Sequence, residues 1–517
     1  MNKQMKKVIT IILAGLMVSA QVFAVSVKEV CGQFDGMLNI DGQVYPNKAV
    51  FLLPGAVDNA VTFVLPDFKY NAGKLGNIVL PNIPMDANGQ LTLENATLYL
   101  DSISERATIT VINGLEDGGM VYNSVVSESD AMVLLSIGAP SLPEPILVLF
   151  VGTKASEKNC TMTNLGFEGE WKDGEPAGWH SFITATGLMC DFVKSEKQFV
   201  QSNDVRPGST GTQSVMLSSD WLFGVSANGN CTNGQINAGS TTADDPVNNY
   251  NFSDPTNEGF NTPFHGRPDS IAFWAKYIPA DRDVNNEVNK ARLSAVLTTD
   301  ARYQDPETGD FANARLAAAT VNYAATPDFG WQRIAVPFEY TSDEKPAYIL
   351  TTFTTNQVPG GGSAYSTGSS LNKVTVLDTV YLDDVEIIYN RALESFTIGG
   401  ESVSFVNNVA NVEGNYCDDC AKFAATADGV SAQNFIAFDA THKCIFIYVI
   451  ADDYTQSGEY SIYRVDFADS QTEDLNPMES VENVSLDGLR FEKVLLNGTL
   501  YFRCVDVWYN INGMRVR

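Results

Sequence analysis

The chain has 517 residues, with 62 Asp and Glu against 33 Lys and Arg and a formal net charge of −29. That acid excess opposes binding to nucleic acid or to an anionic membrane surface, because both recognise a basic footprint. A hydrophobic fraction of 44% excludes a fully disordered chain, and only three His (His180, His265 and His442, far apart) argue against a His-based triad or a His-rich metal centre. At roughly 150 residues per domain, the length predicts about three domains.

The first element is an address rather than a fold. Lys3, Lys6 and Lys7 precede an apolar stretch from Val8 to Ala20, and Val22-Phe23-Ala24 places small residues around a cleavage point. This pattern predicts a secretory signal peptide over 1–24, cut after Ala24. The apolar stretch is too short to cross ~30 Å of hydrocarbon, and no later run is long enough to do so. Export makes disulfides permissible for the eight Cys. Cys417 and Cys420 form the one tight pair, and its readings are a local disulfide, free thiols, a zinc knuckle or a redox site. The flanking Glu413, Asp418 and Asp419 disfavour the last, since redox thiols are activated by positive surroundings.

After residue 25 the pattern is strands and turns. Short apolar or alternating runs dominate: Ala49–Leu53, Ala107–Ile112, Ile146–Val151, Ile271–Ile278, Arg333–Tyr340, Val380–Tyr389 and Cys444–Ile450. Gly, Asn and Asp clusters such as Asp86-Ala87-Asn88-Gly89 separate them, which predicts an all-β chain of barrels or sandwiches. The one helical candidate, Arg315–Thr320, is short for a helix. Polar bridges place boundaries so that the segments run 25–153, 155–390, 391–469 and 470–517.

Segment 25–153 contains Phe34-Asp35-Gly36-Met37-Leu38 and Gly76-Asn77-Ile78-Val79-Leu80-Pro81-Asn82-Ile83-Pro84. On those motifs it resembles the calycin-like domain of exported proteins from Bacteroidetes-type bacteria. The resemblance implies a lipocalin-like antiparallel barrel, either holding one small apolar ligand or packed with its own side chains.

Segment 155–390 carries Trp171, Trp179, Trp221, Trp274 and Trp331. It opens Asn164-Leu165-Gly166-Phe167-Glu168, passes through Arg267-Pro268-Asp269-Ser270-Ile271-Ala272-Phe273-Trp274, and closes Leu382-Asp383-Asp384-Val385-Glu386-Ile387. This series resembles the carbohydrate metabolism domain of the same bacterial group, which is similar to jelly-roll carbohydrate-binding modules. Sugar binding needs flat aromatic rings under the C–H faces and polar side chains at the hydroxyl edge. Alternation puts Ile271, Phe273, Ala275 and Tyr277 on one face and Trp274 and Lys276 on the other. Trp274 and Trp179 are the first platform candidates, with Trp221 and Trp331 behind them and Arg267 and Lys276 as polar partners. A Trp in a β-sandwich also serves as core, so one or two of the four are expected to face solvent. No cofactor is required. In jelly-roll modules the first and last strands can share a structural calcium, and Glu168, Asp383 and Asp384 stand in matching places; the alternative is that they are solvated turn acids. No motif singles out a carboxylate pair, nucleophile elbow or His-plus-Glu metal site.

Segment 391–469 resembles the small immunoglobulin-like modules of bacterial surface proteins, which space and present other domains. In 470–517, Asn497-Gly498 between apolar runs predicts a hairpin. The ending Tyr509-Asn510-Ile511-Asn512-Gly513-Met514-Arg515-Val516-Arg517 is similar to C-terminal sorting segments of the type IX secretion system, an ordinary terminal hairpin being the alternative. The expected architecture is therefore all-β: lipocalin-like barrel, jelly-roll sandwich, Ig-like sandwich and a short C-terminal hairpin segment. The expected role is a secreted or surface-exposed, non-catalytic accessory protein that binds a polysaccharide or glycoconjugate, the periplasm being the other location. The C-terminal segment would meet outer-membrane or secretion machinery. The rivals are an adhesive or structural surface protein and a polysaccharide-degrading enzyme.

Overall fold

The computed structural model describes residues 25–70, 73–100, 105–117, 120–140, 142–156, 159–194, 198–222, 225–309, 311–361, 365–367, 374–416, 422–477, 491–496, 499–504 and 507–510. The predicted leader, the Cys417–Cys420 pair and the predicted turn at Asn497-Gly498 lie outside the described residues. The chain is all-β, and among the described residues helix is confined to single turns. No helix among the described residues is long and apolar enough to cross a membrane.

The first body is a nine-stranded antiparallel sheet whose path runs from Gly73–Pro84 through Gly32–Ile40 and Ile146–Lys154 to Ala96–Leu100. Its two edge strands are consecutive in the chain, and a bridge between Met85 and Leu91 draws them together into a nearly closed barrel. Phe34, Leu52, Phe63, Leu80, Ile109 and Phe150 are among the residues that fill the interior. These side chains pack on one another inside the barrel. A single helical turn, Val27–Val30, packs Val30 on that core, and a reciprocal cap between Ser26 and Glu29 starts it.

The central body is a sandwich of two five-stranded antiparallel sheets. One orders Phe199–Ser202, Ser214–Ser218, Thr379–Ile388, Ser270–Ile278 and Gln332–Pro337; the other orders Asn230–Thr232, Tyr348–Thr354, Ala291–Thr298, Arg315–Tyr323 and Glu339–Tyr340. The predicted alternation holds: Ile271, Phe273, Ala275 and Tyr277 are buried between the sheets, and Trp274 and Lys276 face outward. Arg315–Tyr323 is a strand despite its run of Ala. Ladders on both sides fix it, and small side chains suit a crowded core position.

The third body places seven strands in two sheets, of three and four strands. Its strand Cys444–Ile450 is buried at every position. Ile445 and Ile447 face the body's own core, while Cys444, Phe446, Tyr448 and Ile450 pack on Phe51, Leu53, Val64 and Val79 of the barrel's outer wall. A continuous apolar run is what double-sided burial requires. Polar contacts fix the register of this docking: Tyr454 donates to the Leu52 carbonyl at 2.7 Å, Tyr448 and Thr62 share a buried hydrogen bond at 2.9 Å, and Asn82 donates to Asp439 at 2.7 Å. The C-terminal segment forms a three-stranded antiparallel sheet, one strand more than the expected hairpin.

Candidate functional site

The residues singled out in the sequence go to several places. Trp179 is fully buried, packed on Phe167 and Phe353 with its ring N–H donated to the Asn164 carbonyl, so it is core and no platform. Trp274, Trp331 and Lys276 do share the outer face of one sheet, but their rings already have partners. The Arg206 guanidinium lies 5.3 Å from the Trp274 centroid, and the Lys276 ammonium lies 4.2 Å from that of Tyr381 and 5.9 Å from that of Trp331. Asp204 pairs with Lys276 and accepts the Trp331 ring N–H, closing the cluster. Arg267 stacks on Tyr340 and bonds Asp343, while its backbone N–H reaches Asp452 of the third body; it is a joint rather than a sugar contact. Trp221 is the one large exposed ring of the four, on the hairpin of Asp220–Leu222 with Val225–Ala227.

The three acids proposed for calcium all engage the loop that runs from Arg206 to Gln213. Glu168 accepts the backbone N–H groups of Thr212 and Gln213, Asp384 pairs with Arg206 and Ser209, and Asp383 accepts the N–H groups of Arg206 and Asp384. Burial pushes the Asp383 carboxyl up to about 6, with the charge of Asp384 adding to the shift and the two hydrogen bonds opposing it. No group of three or more His, Cys, Asp or Glu that could hold a metal ion occurs among the described residues.

The chemistry gathers elsewhere, on the outward face of the second sheet. That face is polar: Asn230, Thr232, Ser294, Thr298, Thr352 and Thr354 are all buried. It is buried because a small three-stranded sheet, Gln235–Ala238, Asn249–Ser253 and Tyr303–Asp305, lies across part of it. Gly234 permits the approach, since a Cβ there would stand 2.3 Å from the Phe252 carbonyl and 2.5 Å from the Leu350 side chain. The space left is a cavity of about 310 Å³.

Its lining divides by chemistry. Phe182, Met189, Val193 and Ile236 supply apolar surface, with the Tyr250 ring beside them. The exposed Leu188 and Phe192 are the chain neighbours of Met189 and Val193, so apolar surface continues outward. The hairpin bearing Trp221 contributes Ala227. Amides form the polar part, and some are structural. Asn249 staples the 239–242 loop through both ends of its side chain, and Asn356 is held by Asp378, Ser219 and Thr355. Asn228, Asn230 and Asn251 differ: each has a buried amide oxygen without a hydrogen-bond partner. An unmet buried acceptor costs about 1–3 kcal/mol. All three residues line this one cavity, where ordered water or a donor on a ligand would meet such acceptors. Arg292 and Asp305, also in the lining, form a two-bond pair at 2.9 and 3.1 Å.

Sequence reading passed over these amides because aromatic platforms drew the attention. The signal available was amide density: the stretch 228–251 holds Asn228, Asn230, Asn233, Asn237, Asn248, Asn249 and Asn251.

No family model matches the sequence, and no curated protein matches it. Among solved structures, one similar chain is a Bacteroides thetaiotaomicron protein named as a candidate glycoside hydrolase, at 16% identity and TM-score 0.31, covering 60% of this chain and 94% of that one. Another is the carbohydrate-binding module TmCBM61 in complex with β-1,4-galactotriose, at 10% identity and TM-score 0.21, covering 45% and 99% respectively. A third is the N-terminal CBM22-1–CBM22-2 tandem of Xyn10C from Paenibacillus barcinonensis, at 10% identity and TM-score 0.19, covering 71% and 96%. These overlaps are distant, and the functional reading below rests on the cavity.

Proposed function

We propose that the protein binds glycans through the cavity of its central sandwich and does so without catalysis. The observation that carries this reading is the set of unpartnered amide oxygens on Asn228, Asn230 and Asn251, in a cavity that also presents Phe182, Met189, Val193, Ile236 and Tyr250 beside further polar side chains. A sugar ring offers hydroxyl donors at its edge and C–H groups on its faces, which is the complement of that lining. Cleavage of a glycosidic bond uses two carboxylates, one on each side of the bond. The lining of this cavity holds one carboxylate, Asp305, and Arg292 engages it, which favours binding over hydrolysis. The leader supports export, with the cell surface or extracellular medium as destination and the C-terminal segment as the part that meets sorting machinery. The barrel, braced against the third body, would hold the central sandwich in place.

The test is a glycan array probed with the mature chain, beside Asn230→Leu and Trp274→Ala variants. Binding that is lost in Asn230→Leu and kept in Trp274→Ala supports the cavity. Loss only in Trp274→Ala moves the site to the outer sheet face, and no binding by folded wild-type protein overturns the reading.

A further inference from the structure

We propose that this cavity selects uncharged sugars over acidic ones, and that the Arg292–Asp305 pair sets the selection. The inference rests on the glycan reading and names the class of glycan. Arg292 and Asp305 are the only charged residues lining the cavity among the described residues. They come from separate strands, Arg292 from Ala291–Thr298 and Asp305 from Tyr303–Asp305, and they meet because the small sheet lies over the large one. Asp305 is buried and Arg292 nearly so, and two parallel hydrogen bonds join them.

The pairing removes net charge from the cavity while leaving polar atoms. The guanidinium has five N–H donors, of which Asp305 takes two, and each Asp305 oxygen keeps a lone pair beyond its bond to Arg292. Such a pair can give and accept hydrogen bonds, as hydroxyl groups require. A uronic acid would instead bring a carboxylate next to Asp305 with no unpaired cation to receive it. It would also enter against the field of a chain with net charge −29. The preference for neutral sugars is thus set partly by repulsion of the acidic alternative.

The experiment uses the mature chain and calorimetric titration. The probes are neutral hexamers of glucose, galactose, mannose and xylose, and the hexamer of galacturonic acid. Wild type is expected to bind at least one neutral hexamer and to bind the galacturonate at least about tenfold more weakly. Asp305→Asn frees the Arg292 charge at constant shape and should shrink or reverse that ratio, with a new dependence on salt. The double variant Arg292→Gln with Asp305→Asn has no charge to free and should keep the neutral preference. Unfolding curves of each variant confirm that it is folded. If wild type binds galacturonate as well as the neutral hexamer, the inference fails while the glycan reading stands. If Asp305→Asn is folded and the ratio is unmoved, the pair does not set the selection. If no hexamer of either kind binds, the glycan reading falls and this inference with it.

Discussion

Replacing Asn251 by Leu should make the protein more stable and worse at binding. The two side chains branch alike at Cγ, so the substitution changes polarity at nearly constant shape. Asn251 is about 6% exposed, on the middle strand of the small sheet, and its amide oxygen has no partner. Removing an unmet buried acceptor recovers about 1–3 kcal/mol. For a cooperative unit of this size, each kcal/mol moves the unfolding midpoint by about 2–4 °C, so a rise of roughly 2–12 °C is expected. Binding should weaken about ten- to a hundredfold, because a sugar hydroxyl that met the amide now meets a methyl group. Five of the six Trp lie in 155–390, so their fluorescence during thermal and urea unfolding reports on this sandwich. Titration of the glycan found by array gives the second number. A lowered midpoint with unchanged affinity would show that Asn251 serves the fold, and would refute the argument from unmet acceptors.

Three further outcomes follow from the electrostatics. Burial raises the Asp383 carboxyl to about 6, above an ordinary value near 3.9, so the folded state binds more protons between those values. The contribution of this group is full below about pH 4 and is lost as pH rises through 6; a slope of that sign in unfolding curves, absent from Asp383→Asn, is the check. His442 behaves in the same sense: burial would lower its pKa, but hydrogen bonding and charge from Asp439, then Asp474, leave it raised. Its stabilisation is full below about pH 6.5 and is lost above, as pH passes the folded value, and His442→Gln should flatten that alkaline fall. Among Cys31, Cys160, Cys190, Cys231 and Cys444, Cys190 should alkylate first in native protein. Cys231 and Cys444 should react only after unfolding, being buried with their thiols pushed up, and Cys31, raised by burial to about 12, should lag as well. Peptide mapping after timed iodoacetamide treatment reads this order.

Local patterns carried much of the fold. Alternation in 271–278 placed Trp274 and Lys276 on the outer face correctly, because period two is a property of the strand alone. What alternation could not reveal was Arg206, which arrives from a distant loop and covers the ring. The cavity was hidden for the same reason. Its parts are brought together by long-range register, Asn230 against Thr354, Arg292 against the same Thr354, and Asn251 against Asp305. Each of these residues is ordinary in its own segment. Trp179 misled because an aromatic in a Gly-rich turn looks like a loop residue, whereas here the turn tucks it between Phe167 and Phe353.

The docking of the third body has a similar origin and a functional consequence. Apolar runs that break alternation, Ala49–Leu53 in the barrel and Cys444–Ile450 in the third body, are each explained by a strand covered on both faces. A spacer module would leave one face to water. The segment that follows Cys444–Ile450 then reaches the central sandwich: Ala451 packs with Cys160 and Tyr389, Lys345 pairs with Asp452, and Arg391 pairs with Asp453 and Glu459. Arg391 and Asp453 are both nearly buried, so removing either partner would strand a charge, whereas exposed pairs contribute little. The first and third bodies are therefore docked together, and the central sandwich is fastened to them through the part that carries Cys160 and Tyr389. The cavity lining between Phe182 and Gly360 includes no residue of this joint, so the fastening leaves the cavity clear.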